Sequence, residues 1–170
     1  MPVKPRQPAP ALEVQLIDGS TWRLKDVKPK NFEMIVFYRG LHCPICKTYL
    51  SDLEAKLPEF AKRGVDVIAV STDTRERAGK AKAEWNLTDL RVGCELPLSA
   101  ARDWDLFVSR AIRDGEPPEF NEPGLFLVKA DGTLFFASRG SAPWARPPLD
   151  QLLRGIDVAM ERKMPARGEA

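Results

Sequence analysis

The hydrophobic pattern divides the chain into runs that alternate residue by residue and runs that recur every three or four. Leu12, Val14 and Leu16 alternate with polar neighbours, Asp18-Gly19 supplies a turn, and Thr21 to Leu24 resumes the alternation, which predicts an N-terminal β-hairpin. Met34 to Tyr38 is an unbroken apolar run rich in β-formers and predicts a central strand covered on both faces. Cys46, Leu50, Leu53, Leu57 and Phe60 fall at helical spacing, so they predict a helix with one apolar stripe, closed by Gly64. Val65 to Val70 is a second apolar run, and the strand, helix, strand unit that it completes is expected to be parallel and right-handed.

The segment from Asp73 to Trp85 is charged and alanine-rich and reads as a surface helix with Asp73 as its cap. Residues 87 to 122 suggest a short strand near Val92, a short helix around Ala100 to Trp104 and a Pro/Gly-containing loop from Arg113 to Glu122. Leu125 to Val128 and Thr133 to Phe136 flank Ala130-Asp131-Gly132 as a second hairpin, and a helix from Leu149 to about Arg162 closes the chain. This order predicts an α/β fold with a central mixed β-sheet flanked by helices, the thioredoxin layout.

Length changes the picture little: 170 residues fit one domain spanning 1–170, with residues 1–10 a loose N-terminal tail. Charge excludes more. With 26 Lys and Arg against 24 Asp and Glu and no basic block, no nucleic-acid partner is expected. The opening MPVKPRQPAPALEV holds four prolines and no long apolar run, which points to a cytoplasmic protein with no membrane partner. No Gly-rich dinucleotide fingerprint follows a strand, so no flavin or nicotinamide cofactor is expected. A closed zinc site would have to recruit Cys43, Cys46, Cys94 and a His42 adjacent to Cys43, a poor ligand spacing, so no metal is expected either.

The chemistry concentrates in Cys43-Pro44-Ile45-Cys46, where the central strand turns into a helix. Pro44 suits the first helical position, which puts Cys43 at the cap and Cys46 in the first turn. Free N–H groups and the helix dipole favour a thiolate there. Cys46 shares the apolar stripe with Leu50 and Leu53, whereas Cys43 is expected to face solvent. On the residues alone Cys43 attacks and Cys46 resolves, whether the acceptor is a disulfide or a peroxide.

VFYRGLHCPICKTYL resembles the active-site segment of peroxiredoxin-like proteins of the alkyl hydroperoxide reductase/thiol-specific antioxidant type, members of the thioredoxin-fold superfamily. The likeness runs from about Leu12 to Arg167, and the endings WARPPLDQLL and MPARG point to a divergent subgroup with a CxxC. Aligned on Phe37-Tyr38, the resemblance puts the peroxidatic cysteine on Cys46 and the family's threonine on Cys43, the reverse of the assignment above. The family's catalytic arginine falls where this chain has Pro123, which instead matches the cis-proline that thioredoxins set opposite the CxxC to position substrate. The resemblance implies antioxidant thiol redox activity, with a thioredoxin-like protein or a small thiol as reductant and a peroxide or disulfide as substrate. A homodimer is a permitted assembly.

Arg39 and His42 are candidates for tuning the thiolate, although a solvated strand-end charge and a loop histidine are the plainer readings. Cys94 reads as a packed thiol. Arg139, Arg146 and Trp144 follow the last hairpin and read as a partner-surface rim or as packing. The expectation is therefore an oxidoreductase running on a Cys43/Cys46 dithiol–disulfide couple. The alternative is a non-catalytic redox sensor or binding module whose CxxC switches a surface.

Overall fold

The computed structural model describes residues 2–170. In chain order the strands are β1 (Glu13–Leu16), β2 (Thr21–Arg23), β3 (Phe32–Phe37), β4 (Val65–Val70), β5 (Arg91–Cys94), β6 (Val108–Arg110), β7 (Glu119–Asn121), β8 (Gly124–Lys129) and β9 (Leu134–Arg139). The helices are α1 (Pro44–Lys62), α2 (Arg75–Glu84), α3 (Leu98–Asp103) and α4 (Leu149–Glu161). Seven strands form one mixed sheet in the order β2-β1-β5-β4-β3-β8-β9, and β6 and β7 form a separate antiparallel ladder.

The unbroken apolar run of β3 is explained by its surroundings. Phe32, Met34 and Val36 turn to one face of the sheet, Ile35 and Phe37 to the other, and every residue of the strand is buried. β3 pairs in parallel with β4, from Phe32 opposite Val65 to Phe37 opposite Val70, as the strand, helix, strand pattern requires. On its other side β8 runs antiparallel, with Phe37 opposite Gly124.

The first face is covered by the stripe Cys46, Leu50, Leu53 and Phe60 of α1, by Ala78 and Ala81 of α2, and by Leu149, Leu152, Leu153 and Ile156 of α4. The second face is closed by Ala101 of α3, Trp104 and the N-terminal residues Leu12, Val14 and Trp22. Each large aliphatic or aromatic side chain so buried contributes about 1.5–3 kcal/mol, and the two clusters together fix the sheet that carries the CxxC.

Three local expectations need correction. The N-terminal tail is not loose: the Arg6 N–H donates to the Leu134 carbonyl at 2.8 Å, the Ala9 N–H donates to the Gly132 carbonyl at 3.0 Å, and Pro8 bridges to Thr133. The turn before β9 offers open backbone groups that the tail satisfies. α2 is capped by Thr74, whose hydroxyl accepts the Arg77 N–H at 3.2 Å, because Asp73 is engaged elsewhere. Residues 113–122, read as loop, end in β7, which pairs Val108 with Asn121 across from β6. Three-residue strands are too short for alternation to reveal them.

Candidate functional site

The chain leaves β3 through Tyr38, Arg39 and Gly40 and enters α1 at Cys43. Gly40 adopts φ +136°, and a Cβ there would lie 2.7 Å from Asp73 Oδ1, so the loop admits only glycine at this point. Asp73, 1% exposed, is the anchor beneath: its Oδ2 accepts the Leu41 N–H at 2.8 Å, and Arg77 Nε stands 3.3 Å from its Oδ1. The Gly40 carbonyl then accepts the Cys43 N–H at 3.1 Å. These contacts set the direction in which α1 starts.

Cys43 is the N-cap of α1 and Pro44 its first residue, as the sequence indicates. Cys43 Sγ accepts the Cys46 N–H at 3.2 Å, the position a cap oxygen ordinarily takes. The expectation that Cys43 faces solvent is not met: the residue is 1% exposed and Cys46 is 0% exposed. The cap bond folds the Cys43 side chain back over the first turn, into the apolar cluster that holds Cys46 and Leu50.

The two sulfurs are shifted in opposite directions. The neighbouring Cys46 thiol first, then the Cys46 N–H and the charges of Arg146 and Arg39, outweigh burial and lower Cys43 from 9.0 to about 6. Burial first, then the adjacent Cys43 sulfur, raises Cys46. Both directions favour the thiolate on Cys43 and the thiol on Cys46.

Arg146 completes the site. Its Nη2 donates to Cys46 Sγ at 2.8 Å, its Nη1 to the Pro143 carbonyl at 2.7 Å, and its guanidinium carbon lies 5.2 Å from the Tyr49 ring centroid. Tyr49 in turn donates its hydroxyl to the Pro147 carbonyl at 2.6 Å, tying the segment that carries Arg146 to α1. No carboxylate pairs with Arg146 among the described residues. Sequence reasoning set Arg146 aside. The signal that identifies it is topological: the β8–β9 hairpin returns the chain to the end of the sheet where β3 meets α1, and Ala145-Arg146-Pro147-Pro148 begins there.

Arg39 is not a solvated strand-end charge. It stands 3.1 Å from Glu122 Oε2 as an ion pair without hydrogen-bond alignment, 16% exposed against 3% for its partner, and lies over the Phe120 ring at 4.8 Å. His42 packs edge-on to the same ring at 4.7 Å with neither ring nitrogen hydrogen-bonded, and burial, then Arg39, lowers its pKa. A neutral His42 supplies no charge to Cys43, whereas Arg39 does.

Pro123 departs from the cis-proline expectation. No peptide bond among the described residues is cis, and the residue sits buried at the entry to β8, where its carbonyl accepts the Gly140 N–H at 3.1 Å and extends the pairing of β8 with β9. Cys94, on β5, is buried and donates its thiol to the Gln15 carbonyl at 3.3 Å, a packed thiol. Among the described residues no three His, Cys, Asp or Glu side chains gather as a metal would require, and no helix is long and apolar enough to cross a membrane.

Comparison with known proteins is consistent with this geometry. A model of the AhpC/TSA family matches residues 5–137. Over 87 residues, 51% of this chain and 55% of the relative, the sequence is 34% identical to "Peroxiredoxin Bcp" of Bacillus subtilis. Over 54 residues, 32% of this chain and 25% of the relative, it is 37% identical to a "Probable 1-Cys peroxiredoxin" of Syntrichia ruralis. The chain thus spans about half, or less, of the length of the curated relatives it matches. Among solved structures, Peroxidoxin BcpB from Mycobacterium tuberculosis superposes with a TM-score of 0.74 at 16% identity, covering 92% of this chain and 97% of that one. Mycobacterium tuberculosis AhpC superposes with a TM-score of 0.76 at 14% identity over the whole of both chains. These likenesses establish the thioredoxin-type fold.

Proposed function

The chain belongs to the AhpC/TSA family, and from that premise we propose that it is a thiol-dependent oxidoreductase that reduces a peroxide through a Cys43/Cys46 dithiol–disulfide couple. The observation that carries the reading is the pair itself: Cys43 Sγ accepts the Cys46 N–H at the start of α1, with Cys43 lowered to about 6 and Cys46 protonated. Such a pair holds one nucleophile and one proton donor at neutral pH.

The Cys43 thiolate attacks one peroxide oxygen and the O–O bond breaks. The leaving alkoxide or hydroxide takes a proton and departs as alcohol or water, and Cys43 is left as a sulfenic acid. The Cys46 sulfur then attacks Cys43, its thiol proton goes to the departing hydroxyl oxygen, and a water leaves as the disulfide forms. Two electrons pass from the dithiol to the peroxide. Arg146 and Arg39 provide the positive field that favours the thiolate and the developing negative oxygen. A thioredoxin-like protein or a small thiol returns the electrons by thiol–disulfide exchange.

Burial favours peroxide over a protein disulfide as oxidant. With Cys43 1% exposed and Cys46 0% exposed, a small peroxide reaches sulfur with far less opening of the loop than a folded disulfide partner requires. A second reading rests on one specific contact: Arg146 Nη2 bonds Cys46 Sγ, which favours an ionised Cys46 and agrees with the family position of the peroxidatic cysteine.

The reading is tested by adding one equivalent of hydrogen peroxide to the reduced protein and counting thiols. Loss of two thiols per chain with a Cys43–Cys46 disulfide in the peptide map, and continued peroxide consumption with excess dithiol, is the expected result. Oxidation no faster than that of a free thiol overturns it, and a single oxidation that dithiol cannot recycle favours a redox sensor.

A further inference from the structure

Beside Arg146, on the face of the sheet that α1 and α4 share, a groove of about 650 Å³ runs between β9 and α4. Its walls are apolar, formed by Leu127, Phe135 and Phe136 of the sheet and Leu152 and Ile156 of the helix, and Arg146 stands at one end. A second cavity of about 520 Å³ continues it past Phe135, Phe136 and Gly155 toward Val158 and Met164, both partly exposed. The volume lies in the range of small-molecule sites.

Two independent features mark the groove as a place for a ligand rather than a packing gap. The first is Gly155. It sits inside α4, where glycine is the poorest helix former after proline, and a Cβ built there meets nothing within 4 Å. Any aliphatic residue at this position would strengthen the helix and fill the groove; glycine leaves the floor open. The second is the state of Arg146. Its Nε is buried with no acceptor, and the guanidinium has no carboxylate partner among the described residues. A half-buried guanidinium with a buried, unpaired Nε and no carboxylate partner, beside an apolar groove, matches one chemistry, an anion with an aliphatic tail.

We propose that the groove between β9 and α4 binds an aliphatic carboxylate, its tail over Phe135, Phe136 and Gly155 and its carboxylate on Arg146. Arg139, the other arginine lining the first cavity, is already held in an ion pair with Asp105 and by the Asp105 carbonyl, and Arg154 and Arg167 of the continuation are exposed to solvent, so the head group belongs at the half-buried Arg146. The binding stands on the groove alone. Its consequence rests on the function proposed above: a carboxylate on Arg146 competes with Cys46 Sγ for the guanidinium and weakens the positive field at the sulfur pair.

The test is calorimetric titration of the intact reduced protein with decanoate below its critical micelle concentration, against decanol and acetate. Saturable binding of decanoate, at least about tenfold tighter than either, and a loss of at least about tenfold in Gly155→Leu, is the expected result. Gly155→Leu touches neither cysteine nor Arg146, so its peroxide reactivity without decanoate is expected to match wild type. Absence of saturable binding overturns the proposal, as does decanol binding equal to decanoate or undiminished binding in a folded Gly155→Leu. The titration reads occupancy and not turnover. Failure of the thiol chemistry therefore leaves the binding result standing, and decanoate that binds without slowing peroxide oxidation removes only the consequence.

Discussion

Arg146 Nη2 and Cys46 Sγ lie 2.8 Å apart, a contact between residues separated by 100 positions in the chain. It joins the segment before α4 to the first turn of α1 and brings a cation with no carboxylate partner to a buried sulfur pair. Much of the site's electrostatics depends on this one contact.

Replacing Arg146 with Gln is therefore expected to raise the pKa of Cys43 and to slow oxidation by peroxide at pH 7. A charge-assisted hydrogen bond contributes about 1.5–3 kcal/mol, so the second-order rate constant is expected to fall roughly tenfold to a hundredfold. Stopped-flow fluorescence on the reduced protein measures it. An unchanged rate removes Arg146 from the reacting machinery.

The pH profile of that reaction follows from Cys43, lowered from 9.0 to about 6. The rate is expected to rise through pH 6 and to level off near pH 7. The linkage runs in the same direction. The folded-state value lies below the unfolded one, so the stabilisation from this thiolate is fully present above pH 9 and is lost as the pH falls toward 6. Urea unfolding of reduced wild type minus Cys43→Ser, compared at pH 6 and 8.5, is expected to give a positive difference that grows with pH. A flat difference contradicts the assignment of the thiolate to Cys43.

Gly40→Ala is expected to destabilise the protein by about 1–3 kcal/mol, because φ +136° is unfavourable for alanine and its Cβ would meet the Asp73 carboxylate at 2.7 Å. Asp73 cannot yield without abandoning the Leu41 N–H. Thermal unfolding measures the loss, and the peroxide rate is expected to fall with it, since the same loop directs Cys43.

Far from the sulfurs, Glu33 is buried within β3, with both carboxylate oxygens lacking a hydrogen bond and Arg91 Nη2 3.7 Å away. Burial raises it from 4.5 to about 7. A raised carboxyl contributes stability below pH 4.5 that is lost as the pH climbs through 7. Glu33→Gln is therefore expected to stabilise the protein by about 1–3 kcal/mol at pH 8 and to have little effect at pH 4.5, as denaturant melts at the two pH values read out.

The elements that carry the CxxC were legible in the sequence because their signals are local. Pro44 marks the first turn of α1, the Cys46-Leu50-Leu53-Phe60 stripe gives its buried face, and the apolar run of β3 records coverage on both sides. What escaped depends on long-range closure. Asp73 looks like a helix cap in its own segment, and only packing reveals that it holds the Gly40-Leu41 turn. Cys43 looks exposed because it precedes the helix, yet the bond from the Cys46 N–H folds it inward. Arg146 sits among prolines with no periodicity to recommend it, and its role appears only once the β8–β9 hairpin delivers it to the sulfurs.

The central claim is that Cys43 attacks and Cys46 resolves, and stopped-flow oxidation by hydrogen peroxide of reduced wild type, Cys43→Ser and Cys46→Ser tests it most directly. The account predicts that Cys43→Ser loses the fast phase, while Cys46→Ser keeps it and stops at a sulfenic acid that a dimedone-type reagent traps. A fast phase that survives in Cys43→Ser and vanishes in Cys46→Ser would contradict the account and make Cys46, under Arg146, the sulfur that meets the peroxide.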